Sequence, residues 1–143
     1  MKLEIILGDI KKLDSDVIVE TSSTSLLGAH KMMGAIYQEE SHYVIHTSEP
    51  IWRGGGSGEE ELLRDCYETC ISLAYEHQCK TIAFPSISTG VYRFPLNKAV
   101  KIAISTILEC ANQYEDIEVV SIVCLDEITR SYYERELNNQ LKR

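Results

Sequence analysis

Short β-branched runs alternate along this chain with longer stretches of helical periodicity, and that alternation limits the available folds more than any other feature. The runs are 3–7 (LEIIL), 16–20 (DVIVE), 43–47 (YVIHT), 80–84 (KTIAF) and 118–125 (EVVSIVCL). They are nearly continuous in apolar residues, the pattern of strands covered on both faces. From Glu59 to His77, apolar positions 62, 63, 66, 70, 73 and 74 recur at helical spacing, and from Pro95 to Ala111 positions 96, 99, 100, 103, 107 and 111 do the same. Ser57 and Glu60 have the spacing of a capping box, and Pro95 suits a first helical turn. A last helix over about 127–141 carries Ile128, Tyr133 and Leu137. The segment 21–42 opens with polar TSSTS and reads as a loop leading into a short helix.

Strands separated by helices of this length imply right-handed βαβ crossovers and a three-layer α/β/α sandwich with a mostly parallel sheet. With 143 residues, positions 1–143 are expected to form a single domain. Ligands in such folds bind outside the carboxyl ends of the strands. That directs attention to Gly8-Asp9-Ile10, 20–34, 48–58, 85–93 and 125–127. The charge balance, 14 basic against 22 acidic residues, excludes general affinity for nucleic acid or an anionic membrane surface. No run of 18 apolar residues exists, and Met1-Lys2-Leu3-Glu4 does not open a signal peptide. The five cysteines (66, 70, 79, 110 and 124) are an odd number with no C-x-x-C and no His/Cys ligand spacing. A reduced cytoplasmic protein with buried thiols is expected, with no metal and no cofactor.

The stretch Phe84-Pro85-Ser86-Ile87-Ser88-Thr89-Gly90-Val91-Tyr92-Arg93-Phe94-Pro95 carries the most chemistry. A strand ends, a loop of small residues follows, and a helix begins. Ser88, Thr89 and Gly90 would let main-chain N–H groups converge on an anion. No side chain here is a nucleophile with a base beside it, so the chemistry offered is phosphate cradling rather than covalent catalysis. A plain β–α turn would use the same residues. Asp9 reads equally as an ordinary turn carboxylate. His46 reads as a structural histidine within a strand, His42 and His77 as surface residues, and Trp52 as an anchor for the glycine-rich loop. Cys66 and Cys70 read as core, Lys31 as a solvated side chain, and Glu59-Glu60-Glu61 as acids suited to a helix N-terminus.

ISTGVYRFP, preceded by TIAFPS, closely resembles the diphosphate loop of macrodomains, the ADP-ribose-binding α/β modules. Gly8-Asp9-Ile10 resembles the family's adenine-binding turn, and Asp16-Val17-Ile18-Val19 its second strand. Ser25-Leu26-Leu27-Gly28 and Gly34-Ala35-Ile36 resemble the flanks of its first ligand loop. Tyr43-Val44-Ile45-His46-Thr47 with Pro50-Ile51-Trp52 resembles the next strand and its exit. The resemblance implies the strand order 1-5-4-2-3 for the five runs. It also implies binding of ADP-ribose or a related nucleotide diphosphate. Asp9 would accept from the adenine amino group and the Ile10 amide would meet a ring nitrogen. The amides of Ser88, Thr89, Gly90, Val91 and Tyr92 would hold the diphosphate, with Tyr92 along the ribose side. Leu125 occupies the place where the family often has an aromatic against adenine.

The departures bear on chemistry. Where the family reads Asn-Ala-Ala-Asn, this chain has Glu20-Thr21-Ser22-Ser23, so Ser23 replaces the asparagine that orients the distal ribose and offers one donor instead of two. Glu20 adds negative charge near a diphosphate unless another group neutralises it. Ala29-His30-Lys31 replaces a glycine run, and Met33 stands where the family's hydrolases place a water-positioning aspartate. Methionine cannot accept a proton. Between Ile36 and Tyr43 only six residues remain where the family carries a longer helix end and an extra strand. Strand 43–47 is therefore expected at the sheet edge, protected by a covering segment or by a homodimer. The expected function is nucleotide binding with weak or no hydrolysis, the partner being free ADP-ribose or an ADP-ribosylated protein. Two alternatives stand beside it. One is a hydrolase acting on ADP-ribosyl groups or on a terminal phosphate, with Ser23, His30 or Lys31 as the nearby replacement groups. The other is a degenerate scaffold working through protein contacts.

Overall fold

Alternate residues along each strand face a common layer of helices in the computed structural model, which describes residues 1–23, 35–39, 42–87 and 93–142. The strands are β1 (Lys2–Leu7), β2 (Val17–Ser23), β3 (Ala35–Glu39), β4 (His42–Glu49), β5 (Thr81–Pro85) and β6 (Val119–Cys124). The helices are α1 (Glu59–Glu76), α2 (Leu96–Gln113) and α3 (Glu127–Leu141), with a 3-10 turn at Ile10–Lys12. The sheet order is β1-β6-β5-β2-β4-β3. All neighbours pair in parallel except β3, which is antiparallel to β4.

Period-two alternation sends Val17, Val19, Ile45, Ile82, Phe84, Val120, Ile122 and Cys124 to one face. There they form one buried cluster with Leu63, Tyr67 and Ile71 of α1, Ala103 and Ile107 of α2, and Tyr133 of α3. Each large apolar side chain taken from water contributes about 1.5–3 kcal/mol. On the other face Ile18, Val44, Ala83 and Val123 are buried as well. The central strands are thus covered on both sides, which is why they read as continuous apolar runs rather than alternating ones. The α/β architecture and the relative order of the five expected strands hold.

Two expectations are corrected. Residues Ala35–Glu39, read as part of a loop and short helix, form a sixth strand that pairs with β4 from Ala35↔His46 to Glu39↔His42. Strand 43–47 is therefore internal, and the homodimer drawn from its exposure as an edge loses its basis. The physical reason lies in the shortened connection. So few residues link Ile36 to Tyr43 that a return to the sheet is met by a tight hairpin, and Ile36 and Tyr37 suit a pleated strand. The second correction concerns α1. Its N-cap is Gly58 at φ 77, with no side-chain cap bond, so Ser57 and Glu60 do not form a capping box.

All five cysteines are free and buried. Burial pushes the thiols of Cys66 and Cys110 up to about 11 and that of Cys124 up to about 12, and it raises Cys70 and Cys79 as well. Reactivity requires the thiolate, so the folded protein should show no fast-reacting thiol toward a disulfide reagent at pH 8, and all five after unfolding. One rapid equivalent under native conditions would contradict this arrangement.

Candidate functional site

The carboxyl ends of the strands set Asp9, Leu125 and the main chain of Ser23 along one edge of the sheet. β1 and β6 run in register from Lys2↔Val119 to Leu7↔Cys124, and the Gly8 amide donates to the Cys124 carbonyl at 2.9 Å. Asp9 and Leu125 therefore emerge from neighbouring strands. Next along the edge comes the exit of β5 at Ser86-Ile87, then the main chain of Ser23 at the end of β2, and then Pro50 beyond β4. Three inter-strand steps separate the β1 and β2 exits, a span of roughly 14 Å. Between β5 and β2 the connections leave in opposite directions, β5 toward β6 and β2 toward β3. This is a topological switch point, the position at which doubly wound sheets bind ligands.

Asp9 caps the 3-10 turn, its Oδ1 accepting from the Lys11 amide at 3.0 Å, and Ile10 is the turn's first residue. Leu125 is 87% exposed, beside Ile128 at 69%. An apolar surface thus stands open next to the Asp9 turn. Ser88, Thr89, Gly90, Val91 and Tyr92 lie outside the described residues, as do Ala29, His30, Lys31 and Met33. The two ends of the 88–92 segment are fixed: Ile87 is fully buried and Phe94 nearly so. Phe94 packs against Trp52 with the rings tilted by 54° and their centroids 4.8 Å apart. Trp52 thereby ties the glycine-rich loop to the start of α2, the anchoring role expected for it. At Gly55, φ is 91 and a Cβ would meet the Trp52 ring at 3.0 Å, so this position requires glycine.

The organiser of that loop is Glu59, which the sequence reading grouped with its acidic neighbours. Its carboxylate is 2% exposed. One oxygen accepts from the amides of Arg53 at 2.8 Å and Gly55 at 2.9 Å, and the other from Ser57 at 2.7 Å. These amides, Arg53 first, overcome desolvation and hold the carboxyl down at about 2. An acid directly after a glycine-rich run, in GGGSGE, is the signal that could have revealed it.

Glu20 has a side-chain partner on the neighbouring strand. Its Oε2 lies 3.0 Å from His46 Nε2, and the Tyr37 hydroxyl reaches the same nitrogen at 2.6 Å. The three side chains join β2, β4 and β3 on one face of the sheet. Partial desolvation, then Glu20 and Glu39, raise the Tyr37 phenol, so it remains protonated. His46 is the structural histidine expected. Cys66 and Cys70 are core, and His42 and His77 contact Glu39 and the Leu73 carbonyl. Among the described residues no group of three His, Cys, Asp or Glu side chains is arranged to hold a metal ion, and no helix is long and apolar enough to cross a membrane.

Comparison with known proteins fits this geometry. The Macro domain family model matches residues 11–103. A macro domain-containing protein of Mesorhizobium japonicum is 36% identical over 162 residues, covering 94% of this chain and 92% of the relative. A Salmonella newport protein named O-acetyl-ADP-ribose deacetylase is 34% identical over 171 residues, covering 97% and 96%. The Oceanobacillus iheyensis macrodomain solved with ADP superposes at a TM-score of 0.87 with 30% identity, covering 98% of this chain and 92% of that one. A sheet with five parallel strands and one antiparallel edge, its switch point between β5 and β2 and these matches agree, and the chain belongs to the macro domain family.

Proposed function

We propose that this protein binds ADP-ribose or a closely related nucleotide diphosphate along the carboxyl edge of its sheet. The observation that carries the proposal is the order of exits along that edge: the Asp9 turn and Leu125 first, the 88–92 segment next, Ser23 last. A base, a diphosphate and a distal ribose occur in the same order in the ligand. Asp9 and the Ile10 amide would take the adenine edge, the amides of 88–92 the diphosphate with Tyr92 along a ribose, and Ser23 the distal sugar. Macrodomains similar to this chain have been solved with ADP and ADPR, which supports the ligand class. Leu125 would pack on adenine without stacking. Leu125→Trp should therefore tighten ADP-ribose by roughly threefold to tenfold, the equivalent of about 0.5–1.5 kcal/mol per aromatic pair.

Hydrolysis is proposed to be weak or absent, because serine and methionine occupy positions 23 and 33. The enzymatic reading is favoured by one observation, the 34% identity to a protein named a deacetylase. Calorimetry with ADP-ribose tests binding, and turnover on an ADP-ribosylated protein tests catalysis. Saturable heat without product supports the binder, and product that vanishes in Ser23→Ala supports the enzyme. Absence of heat up to millimolar ligand would leave the scaffold reading. Cytoplasmic residence and a single domain over 1–143 belong to the same proposal; five unpaired buried thiols support the first.

A further inference from the structure

The turn leaving β5 rests on buried hydroxyl groups that neither the hydrophobic core nor the nucleotide contacts explain. Tyr67 of α1 and Tyr133 of α3 are both 0% exposed, although a phenol carries a polar end that needs a partner. Tyr133 Oη lies 2.8 Å from Ser86 Oγ, the first residue past β5. The Tyr67 ring packs on Phe84 at a centroid separation of 4.9 Å, which carries its hydroxyl to the same turn. There the Tyr133 hydroxyl and the Ile87 main chain both act on it as hydrogen-bonding groups. Yet among the described residues neither contact reaches full hydrogen-bond geometry, so the hydroxyl is held loosely. A buried unpaired hydroxyl is destabilising, and phenylalanine would fill nearly the same space without that penalty. Phe84 and Ile87 are fully buried too, so the turn is clamped on both sides of Ser86. A polar atom kept at a cost, aimed at a main-chain donor on the way into the proposed ligand loop, points to a partner gained in a second state.

We propose that Tyr67, Tyr133 and Ser86 form a buried hydroxyl bracket that positions the Ile87 main chain for nucleotide binding. Ser86 and Tyr133 fix the turn in the free protein, and the Tyr67 oxygen accepts the Ile87 N–H once nucleotide is bound. This inference rests on reading the carboxyl edge as the nucleotide site. None of the three contacts the nucleotide; they are positioning residues. Burial pushes the Tyr133 phenol up to about 12 and raises that of Tyr67, so both keep their protons and act through neutral hydroxyls.

Backbone hydrogen exchange at Ile87, melting temperature and ADP-ribose calorimetry on wild type, Tyr67→Phe, Tyr133→Phe and Ser86→Ala test the bracket. ADP-ribose is expected to slow Ile87 exchange about tenfold in the wild type and to leave it unchanged in Tyr67→Phe. Tyr67→Phe should keep or raise the melting temperature while weakening ADP-ribose about tenfold, a split that a purely structural role would not produce. Without nucleotide, Tyr133→Phe and Ser86→Ala should each speed Ile87 exchange. Wild-type affinity in Tyr67→Phe, or nucleotide-induced protection of Ile87 that survives in it, would overturn the proposal. A wild type that gives no heat with ADP-ribose overturns the nucleotide reading and the bound-state role of Tyr67 with it. The Ser86–Tyr133 half is then judged by ligand-free exchange alone, and unchanged rates at Ile87 in both variants overturn it.

Discussion

Glu59→Ala should lower the melting temperature by about 10 °C, because it strips the partner from three main-chain amides at once and leaves them oriented toward nothing. The loss has no compensation from helix capping, since Gly58 provides no side-chain cap to α1. The effect should also depend on pH. The folded carboxyl sits at about 2, below its ordinary 4.5. The stabilisation it gives is fully present above the unfolded value and is lost as pH falls from about 4.5 toward 2. Melting curves of the wild type should drop across that window. Glu59→Gln, which keeps the shape and loses the charge, should flatten the drop and start from a lower plateau. Equal pH slopes in wild type and Glu59→Gln would show that the loop is held by something else. The readout also separates scaffold from site. The 53–58 loop meets Phe94 through Trp52, so Glu59→Ala should weaken nucleotide binding only to the extent that it loosens that contact.

Much of the molecule was legible because it follows period. The five apolar runs and three helical stripes are consequences of side chains that repeat every 2 or every 3.6 residues, and α1, α2 and α3 fall where the stripes place them. What escaped was decided by tertiary context. Among the described side chains of Ala35–Glu39 only Ile36 is a partly buried apolar anchor, so the strand character comes from pairing with β4 rather than from its own pattern. Glu59 is hidden in composition, since one of three consecutive glutamates is buried and the other two are not. The capping box failed for a related reason: Ser57 turns its amide to Glu59, and that geometry excludes the side-chain cap. The candidate site was legible as a set of residue types, and the sheet supplies the order in which the strands carrying those residues end, the order the proposed ligand would require. Nothing in spacing alone could have paired Glu20 with His46, because 25 intervening positions separate them in sequence; the parallel register places them opposite each other.

Gly90→Glu should abolish ADP-ribose binding while leaving the melting temperature within about 2 °C of wild type, since the proposed site sets position 90 against the ligand rather than in the core. The expected loss is at least a hundredfold in Kd, about 2.7 kcal/mol or more. Two physical effects add to produce it. A side chain at position 90 removes the bare main chain that lets amides approach an anion. The added carboxylate also sets a like charge against a ligand carrying two phosphates, in a protein whose net charge is already −8. Gly90→Ala separates the two effects by adding bulk without charge, and an intermediate loss is expected there. Added salt screens the carboxylate and should recover part of the Gly90→Glu deficit but none of the Gly90→Ala deficit. Undiminished heat from Gly90→Glu would place the diphosphate elsewhere on the sheet edge. The Asp9–Leu125 end would then become the part of the edge to probe by substitution.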